Sequence, residues 1–169
     1  LVSNIIQDGF TLDVNTNDAG LDAELKARWQ DWAHDADQCH SEMELTWHQM
    51  ERLAVQTCVV DGDVFALPLR SGSLQWSEAH RVRTPRNTTR NVVHGVLLDS
   101  QARRQEYWFT RQNLDANKPL SRVSDTRAIP ARDRDGNRQV FHLYEPQRFS
   151  QRRGVTALAP ISETVGMHD

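Results

Sequence analysis

Apolar residues recur at Leu21, Leu25, Trp29, Trp32, Ala33 and Ala36, with Asp, Glu, Lys and Arg between them. Steps of three and four gather the apolar set on one face, so the spacing predicts a first helix beginning near Leu21. The pattern breaks over residues 39–45. Thr46 followed three residues later by Gln49 then has the form of a capping box, in which side chains satisfy the orphan amides of a helix start. A second helix is expected from Thr46 to about Val60, with Ser41 and Glu44 offering a competing start five residues earlier. Asp61-Gly62-Asp63 should stop it, because glycine tolerates the left-handed backbone on which helices end.

Outside these helices the period shortens to two. Residues 2–14 alternate loosely around Ile5, Ile6, Phe10, Leu12 and Val14 and include Asp8-Gly9, which reads as a strand or hairpin leading into turn chemistry at residues 15–20. Residues 64–69 have a buried-strand pattern, and shorter strands are predicted at 74–82, 92–98, 107–110, 127–129 and 140–144. Turn residues separate them, among them Asp99-Ser100 and the stretch from Asp133 to Asn137. Helices followed by a run of short strands predict an α+β fold, with two N-terminal helices packed on a mainly antiparallel β-sheet, and not a doubly wound one.

Composition supports a folded domain. Of 169 residues, 38% are hydrophobic and 25% charged, enough for one sizeable core and too polar and short for several. No run approaches the eighteen or so apolar residues of a membrane span, and the first six residues lack a basic signal-peptide start, so neither export nor membrane insertion is expected. Cys39 and Cys58 lie far apart with no repeated spacing and read as free thiols of a reducing compartment. With Leu at position 1 and Gly-Met-His-Asp at the end, the chain is expected to be a piece of a longer protein.

Charge divides the chain more sharply than its total of −3 suggests. Residues 1–82 hold 5 Lys/Arg against 14 Asp/Glu, a net of −9, whereas residues 83–153 hold 15 against 7, a net of +8. Such halves can attract each other, attract the opposite half of a neighbouring copy, or present a basic surface to phosphate. Residues 1–169 are expected to form a single region, with an acidic helical part at 1–63, a basic strand-rich part at 64–146 and a tail at 147–169.

Enzyme signatures are missing. The chain has no glycine-rich phosphate loop, no His-Glu-x-x-His, no Gly-x-Ser-x-Gly and no Cys-x-x-Cys. His34, Cys39, His40 and His48 cluster in sequence but match no zinc-finger spacing, and the acid that should close a calcium loop starting at Asp133 falls on Tyr144. The first set reads as ordinary side chains and the second as a hairpin turn. No catalytic residue, metal or cofactor is expected. Basic residues at Arg81, Arg83, Arg86 and Arg90, at Arg103 and Arg104, and at Arg148, Arg152 and Arg153 are the candidates for phosphate or intersubunit contact.

Six segments, in order, resemble the lambda-like portal family of tailed bacteriophages. Leu25 through Ala33 is similar to its W-x-x-W-A helix, and Asp37-Gln38-Cys39-His40 to the Cys-containing turn after it. Thr46 through Ala54 and then Val59-Val60-Asp61-Gly62-Asp63-Val64-Phe65 resemble the helix that enters a Gly-turn strand. Val93-His94-Gly95-Val96-Leu97-Leu98-Asp99 resembles a further family strand, with Tyr107-Trp108 trailing it. Finally Val140-Phe141-His142-Leu143-Tyr144, followed by Gln151-Arg152-Arg153-Gly154-Val155 and Leu158-Ala159-Pro160, resembles the family's closing motif, except that Thr156-Ala157 stands where an aromatic is usual.

The resemblance covers about residues 21–161 and implies a portal wing-like region, with the tail at 147–169 leading toward a stem helix beyond this chain. It implies a subunit of a ring of about twelve copies at one capsid vertex, a virion component synthesised in the host cytoplasm. Double-stranded DNA would enter through that ring in packaging and leave through it in ejection. Implied partners are other copies of the chain, the terminase packaging motor, capsid or scaffold protein and head-completion proteins. Trp29, Trp32, Gly62, Gly95, His142, Arg152 and Gly154 are the family-motif positions, with structural roles. Arg103, Arg104, Arg148 and Arg153 are the positions available for intersubunit or phosphate contact. Residue types alone leave two other readings: a small nucleic-acid-binding domain using residues 83–153, and a metal-dependent hydrolase or nuclease using Asp61, Asp63, Asp133 or Asp135.

Overall fold

The computed structural model describes residues 6–7, 9–86, 88–110 and 126–160. Among the described residues three α-helices precede or enter the sheets: α1 (Ala19–His34), α2 (Ala36–Cys39) and α3 (Trp47–Asp61). Seven strands follow: β1 (Asp63–Pro68), β2 (Leu74–Glu78), β3 (Val92–Val93), β4 (Val96–Leu98), β5 (Arg104–Thr110), β6 (Thr126–Pro130) and β7 (Phe141–Tyr144). The fold is α+β with antiparallel pairing, as the sequence pattern predicts. Contacts divide the chain into two compact units, one of residues 1–56 and 68–75 and the other of residues 57–67 and 76–169.

In the first unit, Asp18 caps α1 by accepting from the amides of Gly20 and Leu21. The helical period runs on to Ala36, but the helix stops at His34. Asp35 is extended there, and its carboxylate accepts from the Asp37 amide and so starts α2. A short polar side chain that competes for backbone amides favours a cap over continuation. At the start of α3 the Gln49 side chain reaches back to the Thr46 amide at 2.8 Å, the capping-box contact expected from sequence. Trp29, Trp32 and Trp47 meet with ring centroids 5.1–5.7 Å apart, and the Trp32 indole donates to the Gly72 carbonyl.

The strand or hairpin expected over residues 2–14 is not formed where it is described. Residues 9–15 have no strand, Phe10 and Leu12 are exposed, and both oxygens of buried Glu51 hold the Phe10 amide. An alternating pattern needs a partner ladder, and a carboxylate has taken the amide instead. Residues 1–5 and 8 lie outside the described residues.

In the second unit β1 is buried along Asp63 to Leu67 and pairs with β7 in the register Asp63↔Tyr144, Val64↔Leu143, Phe65↔His142 and Ala66↔Phe141. One sheet has the order β2-β1-β7 and the other is the meander β3-β4-β5-β6. Phe65, Leu67, Val82, Val96, Tyr107, Phe109 and Val140 form the core of this unit. The strand expected at 74–82 ends at Glu78, and a 3-10 turn over Ala79–Arg81 follows. That expected at 92–98 is a tight hairpin turning at His94 and Gly95.

Candidate functional site

Register places Asp63 and His142 near each other across β1 and β7, and the loop after β7 brings a cation to them. Asp63 opens β1 directly after Gly62, whose φ of +95° ends α3 with its amide on the Cys58 carbonyl. The Asp63 side chain is 1% exposed. It accepts from His142 Nε2 at 2.9 Å, from Arg153 Nη2 at 3.0 Å, from Arg153 Nε and from the Gly154 amide at 3.0 Å. An ionised carboxylate only accepts, so the His142 proton sits on Nε2.

Arg153 uses every N–H it has. Nε and Nη2 grip both Asp63 oxygens, Nη2 also donates to the Ala79 carbonyl at 2.7 Å, and Nη1 donates to the carbonyls of Val82 at 2.8 Å and His94 at 2.9 Å. Five donors in one rigid plane meet four groups, which an ammonium on a flexible stem does not reproduce. The guanidinium also lies 5.1 Å from the Phe65 ring centroid. One side chain therefore fastens β1, the 3-10 turn, the β3–β4 hairpin and the tail after β7.

Glycines allow the backbones to come this close. A Cβ on Gly154 would lie 1.8 Å from the Gly62 carbonyl oxygen. Gly95, at φ +82°, backs onto Val82 and Arg83 and donates its amide to the Thr84 hydroxyl at 2.8 Å. His142 is stacked between Phe65 at 4.3 Å and Tyr144 at 4.4 Å, and Tyr144 takes a hydrogen bond from Arg104 Nη2.

Electrostatics follow from this packing. Burial pushes the Asp63 carboxyl up, but hydrogen bonds from His142 and Arg153, the Arg153 charge and the Gly154 amide prevail and hold it at about 2, below its ordinary 3.8. Burial also lowers His142 from 6.5, against the pull of Asp63. Both groups bind protons more readily when unfolded, so both contributions are full at high pH and lost on acidification. Stability should first decline as pH falls below 6.5, where unfolded histidine charges. A second loss of about 2 kcal/mol should come between roughly pH 5 and 2, as Asp63 is protonated. Urea denaturation across pH tests this: His142→Asn should remove the upper phase and, by taking away one donor to Asp63, also reduce the lower one; a midpoint flat from pH 7 to 3 would contradict it.

Of the positions singled out from sequence, Gly62, Gly95, His142 and Gly154 converge on this clasp, from four segments far apart in the chain. Trp29 and Trp32 belong to the tryptophan cluster of the other unit. Arg152 is half-buried and takes no part in the network; its neighbour Arg153, grouped from sequence with the contact residues, is the arginine that closes it. Arg103 is exposed and paired with Asp99 at 2.8 Å, Arg148 is exposed, and Arg104 is half-buried against Tyr144. Asp63 and Ala79 were not singled out as clasp residues. The Asp-Gly-Asp turn was the available signal for the first, but a carbonyl acceptor leaves no mark in a sequence. Among the described residues no group of three His, Cys, Asp or Glu side chains is placed to hold a metal ion.

The family model described as phage portal protein, lambda family, matches residues 1–169. No curated protein matches the chain.

Proposed function

The chain belongs to the lambda family of phage portal proteins, and from that premise we propose that it forms the wing of one subunit in a ring around a DNA channel. A portal protein is a structural component of the phage, at a capsid vertex of the virion. In this reading the ring admits double-stranded DNA during packaging and releases it during ejection, and no catalytic chemistry is required of the chain. Its partners are further copies of itself, the terminase motor, capsid or scaffold protein and head-completion proteins, and the subunit is made in the host cytoplasm before assembly.

The observation that carries the reading is the match over all 169 residues. The clasp supports it mechanically. A wing must transmit load between neighbours without unravelling, and Arg153 ties four separated backbone segments through five hydrogen bonds. Gly62, Gly95, His142 and Gly154 serve as the positions that let the clasp close, and Trp29 and Trp32 serve as packing positions of the helical unit. Arg103 and Arg148, exposed in the basic half, face neighbouring copies, where the acidic half offers complementary charge. A heterologous contact of that kind closes into a ring when its rotation is right.

Light scattering and negative-stain microscopy of the intact protein provide the test. A closed ring with a central channel is expected. A compact monomer that binds DNA in a salt-sensitive way would overturn the reading in favour of a nucleic-acid-binding domain.

A further inference from the structure

Beside the clasp lies a cavity of about 230 Å³ whose wall includes Arg103, Arg104, Tyr107, Arg132, Arg138 and His142. Its four arginines come from two places in the chain. Arg103 and Arg104 enter β5, whereas Arg132 and Arg138 face each other across the Asp133 turn as an isolated antiparallel bridge. Among the described residues no carboxylate is part of the wall; Asp99 pairs with Arg103, and Asp63 is held by His142 Nε2 and Arg153 within the clasp.

Two polar atoms of the wall are buried without a hydrogen-bond partner: Arg104 Nε and His142 Nδ1. The His142 side chain is 97% buried, with Nε2 spent on Asp63 and Nδ1 on the opposite edge of the ring. A buried polar atom left unmatched is unfavourable and calls for a partner. Among the described residues Arg138 has no ion pair.

We propose that this pocket binds a dianionic phosphate group, either as free phosphate or at the end of a phosphate monoester. Guanidinium forks match carboxylate and phosphate alike, so the choice rests on charge and shape. Four arginines, one of them neutralised by Asp99, leave about three positive charges. A carboxylate or a phosphodiester supplies one negative charge, whereas a phosphate monoester supplies roughly 1.5 to 2. The concavity suits a compact head group better than a backbone that passes along a surface, because DNA is met by exposed stripes of cations. A dianion carries no proton to donate, so His142 meets it as the imidazolium: Nδ1 takes a proton from solvent and donates it to a phosphate oxygen while Nε2 stays on Asp63.

The site stands independently of the ring, since it lies within one chain. The test is calorimetric titration of the whole chain with inorganic phosphate in low-chloride buffer, beside titrations with a nucleoside monophosphate, dimethyl phosphate and acetate. Phosphate should bind saturably at one site per chain, with the monophosphate showing whether an esterified group enters as well. Arg138→Gln, at a residue that makes none of the clasp's hydrogen bonds, should weaken phosphate at least about tenfold while leaving the unfolding midpoint in place; Arg132→Gln serves as the second variant. Absence of saturable phosphate binding, or binding that both variants leave unchanged, would overturn the proposal. Acetate or dimethyl phosphate binding as tightly as phosphate would overturn it too, pointing to an acidic protein segment or to the DNA backbone.

Discussion

Replacing Arg153 by methionine is expected to remove about 3–5 kcal/mol of folding free energy, a large share of what a domain of this size possesses. The size comes from what is left behind. Methionine fills much of the same volume, but Asp63 remains 1% exposed with only His142 and the Gly154 amide to hold it, and the carbonyls of Ala79, Val82 and His94 lose their donor. Arg153→Lys should lose nearly as much, because three donors on a compact ammonium cannot span a carboxylate and three carbonyls set around a plane. Arg152→Met, one residue away and outside the network, should change stability by less than about 1 kcal/mol. Urea denaturation followed by circular dichroism reads all three. Combining Asp63→Leu with Arg153→Met should recover part of the loss, since a buried ion pair is harmful chiefly when halved. A loss below about 1 kcal/mol for Arg153→Met would mean that the clasp is held by its backbone alone.

That contrast between adjacent arginines shows where sequence reading ends. The helices were legible because their period repeats over four turns and because Thr46 and Gln49 are spaced to cap one another. Gly62 was legible as a helix stop, and the short strands as alternating runs between turn residues. The tail at 147–160 has neither period nor alternation in its two arginines, so nothing in the order Gln151-Arg152-Arg153-Gly154 says which guanidinium turns inward. Only the close pass of Gly154 over Gly62 decides it, by aiming Arg153 at Asp63. Arg132 and Arg138 were hidden for a related reason. They are six apart in sequence, and the turn at Asp133 that pairs them was recognised as a turn without its flanks being read as one cationic wall. Residues 9–15 failed in the opposite direction: alternation was present, but a pattern of side chains does not create the neighbouring strand it needs.

The clasp also makes Gly154 the position least tolerant of a single added carbon. Gly154→Ala would set its methyl 1.8 Å from the Gly62 carbonyl oxygen, 2.3 Å from the Gly62 carbonyl carbon and 2.9 Å from the Asp63 Cβ. Two of these are main-chain atoms at the junction of α3 and β1, which have no rotamer to retreat into, so the backbones must part. Parting them pulls the Gly154 amide from Asp63 and drags Arg153 with it, so that an overpacking penalty and a polar penalty fall together. A loss of more than about 3 kcal/mol is expected, enough to leave little folded chain at 37 °C. The cause is contact and not backbone conformation, for Gly154 is not among the positive-φ glycines. Gly136→Ala isolates the other effect: φ there is +87° with nothing within 4 Å of an added Cβ, so only the left-handed strain of about 1–2 kcal/mol applies. Soluble yield and urea midpoint of the two variants side by side separate the mechanisms. If Gly154→Ala proved no worse than Gly136→Ala, the two backbones would have room to spare, and the tail would be free to leave β1 without breaking the fold.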